Sequence, residues 1–342
     1  MRNPLKPLTL LLALTLLANS LLSQTLAELD KKRVLLPNGW SITPVGKQVP
    51  LGDLPLNLVV SNHKKYMAVT NNGQSTQSIE LFDAVKGTRL DSIMIAKSWY
   101  GLVFSQNDQF LYASGGHDNR VVRYALSNNK LQLVDSFILG KSWPAAIGTA
   151  GLDIEETDHN QLFVVTKEAK SLFVFDLASK TLLNKIELGS EAYTCKVSTD
   201  RKKLYISLWG DKKVLVYDIG ERKLINEIAV GDHPNEMHQT KNGNYLYVAN
   251  ANDNSVSVID TRTYKVVETL NAALYPGAPS GSTSNGVALS DDEKTLYVAN
   301  ADNNCLAVFD VSVTAKSKSK GFIPVGWFPT NVKVFDGKIY VT

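Results

Sequence analysis

The net charge and the histidine content of this sequence are both low, and each of these two features excludes a class of function. The 342 residues carry a formal net charge of +3, which leaves no electrostatic footprint for nucleic acid. Only five histidines are present. The two closest in sequence, His233 and His238, fall on opposite faces of one predicted strand because their spacing is odd. They are therefore poor joint ligands for a metal ion.

Sequence signatures of catalysis and cofactor binding are absent as well. There is no Gly-x-Ser-x-Gly elbow, no His-Glu-x-x-His pair, no phosphate-binding loop and no dinucleotide fingerprint. Two clusters, Asn252-Asp-Asn254 and Asp302-Asn-Asn304, resemble calcium loops but lack the glycine and the distal glutamate that such loops use. Equivalent turns of a repeat explain them better. We therefore predict no metal site and no cofactor.

The first 27 residues have the layout of a secretory signal peptide. Arg2 and Lys6 precede a leucine-rich stretch over residues 8–22, and a small-residue cleavage site ends at Ala27. The apolar stretch is short for a membrane span. We expect residues 1–27 to be removed, leaving a periplasmic or secreted protein without a membrane span; the alternative is an uncleaved N-terminal anchor.

A repeat of forty to fifty residues fills the rest of the chain. Leu246-Tyr-Val-Ala-Asn250 returns as Leu296-Tyr-Val-Ala-Asn300, and weaker copies occur elsewhere. A period in the low forties is typical of the four-stranded blades of β-propellers. The second residue of the motif falls at Ala68, Tyr112, Phe163, Tyr205, Tyr247, Tyr297 and Tyr340, in steps of 44, 51, 42, 42, 50 and 43 residues.

A single repeat shows how a blade is built. Between residues 233 and 277, four short stretches rich in Val, Ile and Tyr alternate with turns of Asn, Asp and Gly. The stretches lack the period of a helix. The predicted strands are Pro234–Thr240, Tyr245–Ala249, Ser255–Ile259 and Lys265–Leu270.

The repeat predicts an all-β protein, a seven-bladed β-propeller of four-stranded blades over residues 34–342. The sequence ends at Thr342 inside the second strand of the seventh blade, so we expect that blade to be incomplete. Trp40–Gly46 resembles a fourth strand, and we expect it to close the ring as the outer strand of the last blade. Cys195 and Cys305 fall in blades that are not neighbours, which predicts two free, buried thiols.

Large aromatic residues are concentrated in loops that open on one face of the predicted propeller. Loops that enter each blade open on the same face as loops between second and third strands, and four of the five tryptophans lie in such loops. Aromatic residues gathered on one surface are typical of ligand or protein binding. The alternative is that they pack on the neighbouring blade. The predicted binding face comprises Trp99, Tyr100, His117, Asn119, Trp143, Trp209, His233, Tyr275, Trp327 and Phe328.

Several motifs give the chain a family resemblance. Leu246-Tyr-Val-Ala-Asn250 and Val256-Ser-Val-Ile-Asp260 resemble YVTN-repeat propellers of the YncE-like kind. Residues 275–282 (Tyr-Pro-Gly-Ala-Pro-Ser-Gly-Ser), 296–304 and 326–330 (Gly-Trp-Phe-Pro-Thr) resemble the propeller half of exported two-part proteins. In those proteins a phosphoesterase domain of the alkaline-phosphatase superfamily follows the propeller. The resemblance implies that this sequence stops before such a domain and carries none of its metal-binding or nucleophilic residues.

Three functions remain open from the sequence. The first is a non-enzymatic binding or scaffold module, with an unknown protein, a small molecule or the phosphoesterase domain on the aromatic face. The second is a propeller enzyme, lactonase-like or quinone-dependent dehydrogenase-like. The third, implied by the resemblance, is the N-terminal part of a phosphoesterase whose activity belongs to a longer protein. The fold does not select among them, but the absence of catalytic motifs favours a chain without activity of its own.

Overall fold

The computed structural model describes residues 30–31, 33–36, 39–142 and 144–342. It divides into two units, Met1–Gly46 and Lys47–Thr342. The predicted signal peptide lies outside the described residues. Within the described part of the chain, no helix has the length and apolar character needed to cross a membrane.

The first unit contains one small antiparallel ladder. Its strands are β1 (Val34–Leu35) and β2 (Ser41–Ile42), with Val34 opposite Ile42. The prediction that Trp40–Gly46 forms the outer strand of the last blade is therefore wrong, since β2 within this range pairs with β1. The physical reason is that a fourth strand hydrogen-bonds to a third strand, and the last sheet has only two strands among the described residues.

The second unit is an all-β propeller of four-stranded antiparallel blades, as predicted. Among its described residues, six sheets have four strands each and a seventh has two. Blade 1 contains β3 (Pro55–Val60), β4 (Tyr66–Asn71), β5 (Ser78–Asp83) and β6 (Arg89–Met94). Blade 2 contains β7 (Leu102–Phe104), β8 (Phe110–Ser114), β9 (Arg120–Ser127) and β10 (Lys130–Ile138). Blade 3 contains β11 (Thr149–Glu155), β12 (Gln161–Thr166), β13 (Ser171–Asp176) and β14 (Leu182–Glu187).

The second half of the propeller repeats this order. Blade 4 contains β15 (Ala192–Val197), β16 (Lys203–Leu208), β17 (Lys213–Asp218) and β18 (Lys223–Ala229). Blade 5 contains β19 (Pro234–Gln239), β20 (Tyr245–Asn250), β21 (Ser255–Asp260) and β22 (Lys265–Asn271). Blade 6 contains β23 (Ser284–Leu289), β24 (Thr295–Asn300), β25 (Cys305–Asp310) and β26 (Lys318–Pro324). Blade 7 contains β27 (Val332–Phe335) and β28 (Lys338–Val341), and short 3-10 turns occur at Gly116–Asp118 and Ala251–Asp253.

Burial within a blade follows the position of each strand. In blade 5 the predicted strands agree with the observed ones to within one residue, and every residue of β21 is buried. The outer strand β22 alternates between exposed and covered residues along most of its length. A middle strand is covered on both faces by neighbouring blades, whereas an outer strand has one face toward solvent.

The innermost strands form a closed ring. In chain order β3, β7, β11, β15, β19, β23 and β27 each contact the next, and β27 contacts β3. The seam between blades 7 and 1 is closed by side chains. Phe335 packs in one cluster with Leu58 and Met67, and the Asn331 amide donates a hydrogen bond to Asn57 Oδ1 at 2.8 Å.

The two cysteines lie in strand cores. Cys195 in β15 and Cys305 in β25 are free and buried, as predicted. Burial raises the pKa of both thiols, that of Cys305 to about 11. A thiol that stays protonated is a poor nucleophile, so these cysteines act as small core residues.

Candidate functional site

Irregular pairing at the start of the inner strands shapes one end of the central channel. The ladder between first and second strands shifts register there in five blades, and a bulge of this kind re-aims side chains. Glycine stands at the same level just before β7 and within β11. A Cβ on Gly101 would lie 2.5 Å from the Ala150 carbonyl oxygen, and one on Gly151 would lie 2.4 Å from Thr194 Cα. These glycines allow neighbouring inner strands to approach closely.

A buried polar cluster occupies this end of the channel. The Glu236 carboxylate, 7% exposed, forms an ion pair with Lys333 and accepts a hydrogen bond from the Val287 backbone amide at 3.2 Å. The ring centroids of Tyr100 and Tyr193 are 4.6 Å apart. Burial, reinforced by the nearby negative charge of Glu236, raises the pKa of both tyrosines. Both therefore remain neutral and keep their hydroxyl protons.

A second level of the channel carries charged and titratable groups. Asp153, Lys196, His238 and Lys333 stand opposite the same position of the second strand in their blades. Burial raises the pKa of Asp153, although Lys196 and the backbone amides of neighbouring residues oppose the shift. Burial and nearby lysines lower the pKa of His238 to about 3. The ring is therefore neutral at physiological pH.

A cleft lies at the end of the channel opposite the aromatic loops. Its volume is about 260 Å³, and its lining includes Asp153, Glu155, Glu156, Thr157 and Arg201. The carboxylates of both glutamates already accept hydrogen bonds from backbone amides. Glu155 accepts hydrogen bonds from the amides of residues 157–159, and Glu156 accepts one from residue 106. The carboxylates of both glutamates in the cleft are therefore already committed to backbone amides.

On the aromatic face, three predicted residues form one contiguous group around a lysine. Lys167 Nζ lies 5.7 Å from the ring centroid of Trp99 and 5.3 Å from that of Trp209. The Trp209 and His233 rings meet edge to face, with centroids 4.2 Å apart. His233 is held in turn by Asp232, at 2.8 Å from Nδ1. We call Trp99, Lys167, Trp209 and His233 the aromatic cluster.

The remaining predicted face residues have different environments. Tyr100 belongs to the buried channel cluster rather than to the surface. His117 is exposed and pairs with Glu168 at 3.2 Å. Tyr275 and Trp327 are each 59% exposed, in loops that enter blades 6 and 7. Phe328 is half-buried, and Trp143 lies outside the described residues.

Asn119 is part of the scaffold and not a surface contact. It is fully buried, and its Nδ2 donates to the carbonyl oxygens of Lys141 and Ala145 at 2.6 and 2.7 Å. Its Oδ1 accepts from the Gly148 amide at 3.0 Å. The prediction that Asn119 contacts a ligand is therefore wrong, because its amide is fully used in holding the long loop that enters blade 3.

Sequence reasoning missed four residues of this end of the molecule, namely Lys167, Tyr193, Glu236 and Lys333. Glu236 had a detectable signal, since β19 (Pro-Asn-Glu-Met-His-Gln) is unusually polar for an innermost strand. Lys167 had none, because an isolated lysine in a loop is ordinary. In the described residues no group of three or more His, Cys, Asp or Glu side chains is arranged to hold a metal ion.

Known proteins resemble this chain in fold. Residues 186–274 match the family described as lactonase, 7-bladed beta-propeller. Hydrazine synthase of Kuenenia stuttgartiensis is 14% identical with a TM-score of 0.69, over 87% of this chain and 97% of that one. A putative 6-phosphogluconolactonase from Bacteroides uniformis is 15% identical with a TM-score of 0.67, over 89% of this chain and 92% of that one.

Two further comparisons limit what the similarity means. A functionally unknown protein from Desulfotomaculum acetoxidans is 16% identical with a TM-score of 0.66, over 87% of this chain and 92% of that one. No curated protein matches the sequence. The chain is thus a β-propeller with a lactonase-type match over about blades 4 and 5, and similarity at these identities describes the fold and not the activity.

Proposed function

We propose that this chain is an exported binding module whose partner docks on the aromatic loop face. The aromatic cluster carries the proposal. Its members come from four different loops, two that enter blades 2 and 5 and two that join second to third strands in blades 3 and 4. Lys167 nevertheless contacts both Trp99 and Trp209, Trp209 contacts His233, and all four residues are partly exposed. Tryptophan in particular is enriched among the residues that dominate binding energy at interfaces.

The stretches behind the family resemblance support a partner of phosphoesterase type. Residues 275–282 and 326–330 form loops that enter blades 6 and 7, and residues 301–304 form the loop between β24 and β25. By the strand order of the blades, all of these loops open on the aromatic face. Tyr275 and Trp327 are large, apolar and 59% exposed. We therefore propose that a phosphoesterase domain, on the same polypeptide or on a separate one, covers this face.

Site-specific photo-crosslinking in the organism that encodes the protein tests the proposal. A benzophenone amino acid would replace Tyr275 or Trp327 on the aromatic face, and Lys202 or Asp292 in turns at the opposite face as matched controls. We expect a discrete adduct from the first pair only, with phosphoesterase peptides identified in it by mass spectrometry. Equal labelling from both faces, or no adduct from either, would contradict the proposal.

A lactonase-like enzyme is the second candidate, and it is favoured by one observation. The family match over residues 186–274 includes Tyr193 and Glu236, which belong to the buried polar cluster beneath the aromatic face. The test is proton release from 6-phosphogluconolactone and δ-gluconolactone, with Glu236→Gln and the exposed Glu227→Gln compared. The binding-module proposal expects no hydrolysis above the buffer rate. Hydrolysis that Glu236→Gln abolishes and Glu227→Gln preserves would favour the enzyme.

A further inference from the structure

We infer that Trp99, Lys167 and Trp209 form a receptor for the acidic group of an amphipathic ligand, a carboxylate attached to an apolar ring or chain. The inference rests on the proposed function and names the chemistry that this part of the face recognises. It follows from the ion pairs formed near Lys167, from the position of its ammonium group and from the rings around it.

The charge of Lys167 is not matched by an acidic neighbour. Among the described residues, no carboxylate forms an ion pair with it, whereas Lys170 in the same loop pairs with Glu191 at 2.9 Å. The nearby acidic groups are already engaged. Glu168 pairs with His117 at 3.2 Å, and Asp232 pairs with His233 at 2.8 Å. An external anion could therefore form an ion pair with Lys167 without displacing a carboxylate of the described residues.

The two indole rings fix the position of this cation without using its hydrogen-bonding capacity. Rings at 5.7 and 5.3 Å from Nζ stabilise the ammonium group through their π faces. Such faces offer no oxygen acceptor, and an ammonium group has three N–H donors. These donors suit a carboxylate, with which a charge-assisted hydrogen bond is about twice as strong as a neutral one.

The same rings provide the apolar half of the receptor. Trp99 is 37% exposed, so its indole can contact an aromatic or aliphatic group that is attached to the acid. Trp209 is held edge to face by His233, with centroids 4.2 Å apart. His233 is itself oriented by the Asp232 carboxylate, which lies 2.8 Å from Nδ1. A receptor that is already ordered loses little entropy when a ligand binds.

Titration of the purified 15N-labelled protein with three matched probes tests the inference. The probes are 4-phenylbutyrate, its neutral amide and 4-phenylbutylamine, and the signals are the indole N–H resonances assigned with Trp99→Phe and Trp209→Phe. We expect the Trp99 and Trp209 signals to shift with the carboxylate, and the amide to bind about tenfold more weakly because one charge-assisted hydrogen bond is lost. The amine should bind more weakly still.

Lys167→Gln and Lys170→Gln form the matched pair of variants, since both remove one positive charge from the same loop. We expect Lys167→Gln to weaken carboxylate binding about tenfold and Lys170→Gln to leave it unchanged, because Lys170 is already paired with Glu191. Equal affinity for acid and amide, equal effects of the two variants, or no shift at either tryptophan would overturn the inference. Crosslinks confined to Tyr275 and Trp327 would still support the binding module in that case, so the two proposals fail separately.

Discussion

At the residue scale, asparagines shape the binding face by holding its loops. Asn119, Asn254 and Asn304 each stand directly before a third strand with φ near +50°, at 53°, 50° and 53°. Each side chain bonds the loop that enters the next blade. Asn254 Oδ1, for example, accepts from the Ser282 amide at 2.6 Å, and its Nδ2 donates to the Pro279 carbonyl at 2.8 Å. Asparagine suits this position because it tolerates the left-handed region and offers both a donor and an acceptor.

This arrangement predicts the cost of replacing Asn254. Asn254→Gly keeps the backbone conformation but loses the loop contacts, and we expect it to lower the free energy of unfolding by about 2 kcal/mol. Asn254→Ala should cost roughly 1 kcal/mol more, because alanine is strained at positive φ. Urea unfolding followed by circular dichroism measures both, with the exposed Lys265→Ala of the same blade as control. A ranking in which alanine is tolerated better than glycine would contradict the explanation.

The buried imidazole of His238 predicts a pH dependence of stability. Its pKa is about 3 in the folded protein and about 6.5 when unfolded. The unfolded chain therefore takes up the proton first as pH falls, so stability is complete above pH 6.5 and declines below it, by at most roughly 1.4 kcal/mol per pH unit. The positive charges of Lys196, Lys333 and Lys241 add to the effect of burial on this pKa.

The measurement compares the protein with His238→Gln by urea unfolding at about pH 7, 6 and 5. The variant lacks this titration and should lose less stability on acidification. Asp153, whose raised pKa acts in the opposite direction, is common to both proteins and cancels in the difference. Parallel stability curves for the two proteins would show that His238 does not titrate as expected.

At the scale of elements, blade 7 differs from the other blades because its sheet has two strands among the described residues, whereas theirs have four. The second strands of complete blades are largely buried, as in β24, where four of six residues are. No residue of the corresponding strand β28 is buried. Among the residues that the structure describes it pairs with β27 alone, and a strand paired on one side leaves backbone groups at an open edge.

Hydrogen exchange should report this difference directly. We expect amides of Lys338–Val341 to exchange faster than those of Thr295–Asn300, because fewer buried contacts must break for local opening. Exchange measured by mass spectrometry on the native protein compares the two peptides within one sample. Equal protection would mean that a further strand or a partner covers the edge of β28 in solution.

At the scale of the whole molecule, polar contacts across the channel connect blades that are not adjacent. Lys333 of blade 7 pairs with Glu236 of blade 5, and Glu236 also bonds the Val287 amide of blade 6. One carboxylate therefore joins three blades. Such a contact depends on the packing of three blades, since Lys333 approaches Glu236 only when the inner strands of blades 5, 6 and 7 are in place.

Removing one partner of this pair should be costly. We expect Lys333→Met to lower the free energy of unfolding by about 2–3 kcal/mol, because Glu236 is left as an uncompensated charge that is almost fully buried. The double variant Lys333→Met with Glu236→Gln should recover part of the loss. Lys338→Met, on an exposed position of the same blade, is the control in urea unfolding. A single variant as stable as this control would contradict the role assigned to the pair.

Most of the fold was predictable because the strands of each blade are consecutive in the sequence. Second strands lie between two neighbouring blades, so the repeated Leu-Tyr-Val-Ala-Asn segments had to be apolar on both faces, and Asn, Asp and Gly mark the turns between strands. Strand bounds in blade 5 were accurate to within one residue for this reason. The pairing of Trp40–Gly46 was not predictable, because an outer strand is chosen by the availability of a partner edge and not by its own pattern.

The sequence alone therefore determined the repeating strands, their turns and the loops that carry the aromatic residues. Tertiary structure decided which of those residues meet. Lys167 lies between Trp99 and Trp209, and Glu236 meets Lys333, because the packing of the blades around the channel brings together loops and strands that are far apart in the chain. Periodicity records the environment of each strand within its own blade, whereas the channel and the aromatic cluster are properties of several blades at once.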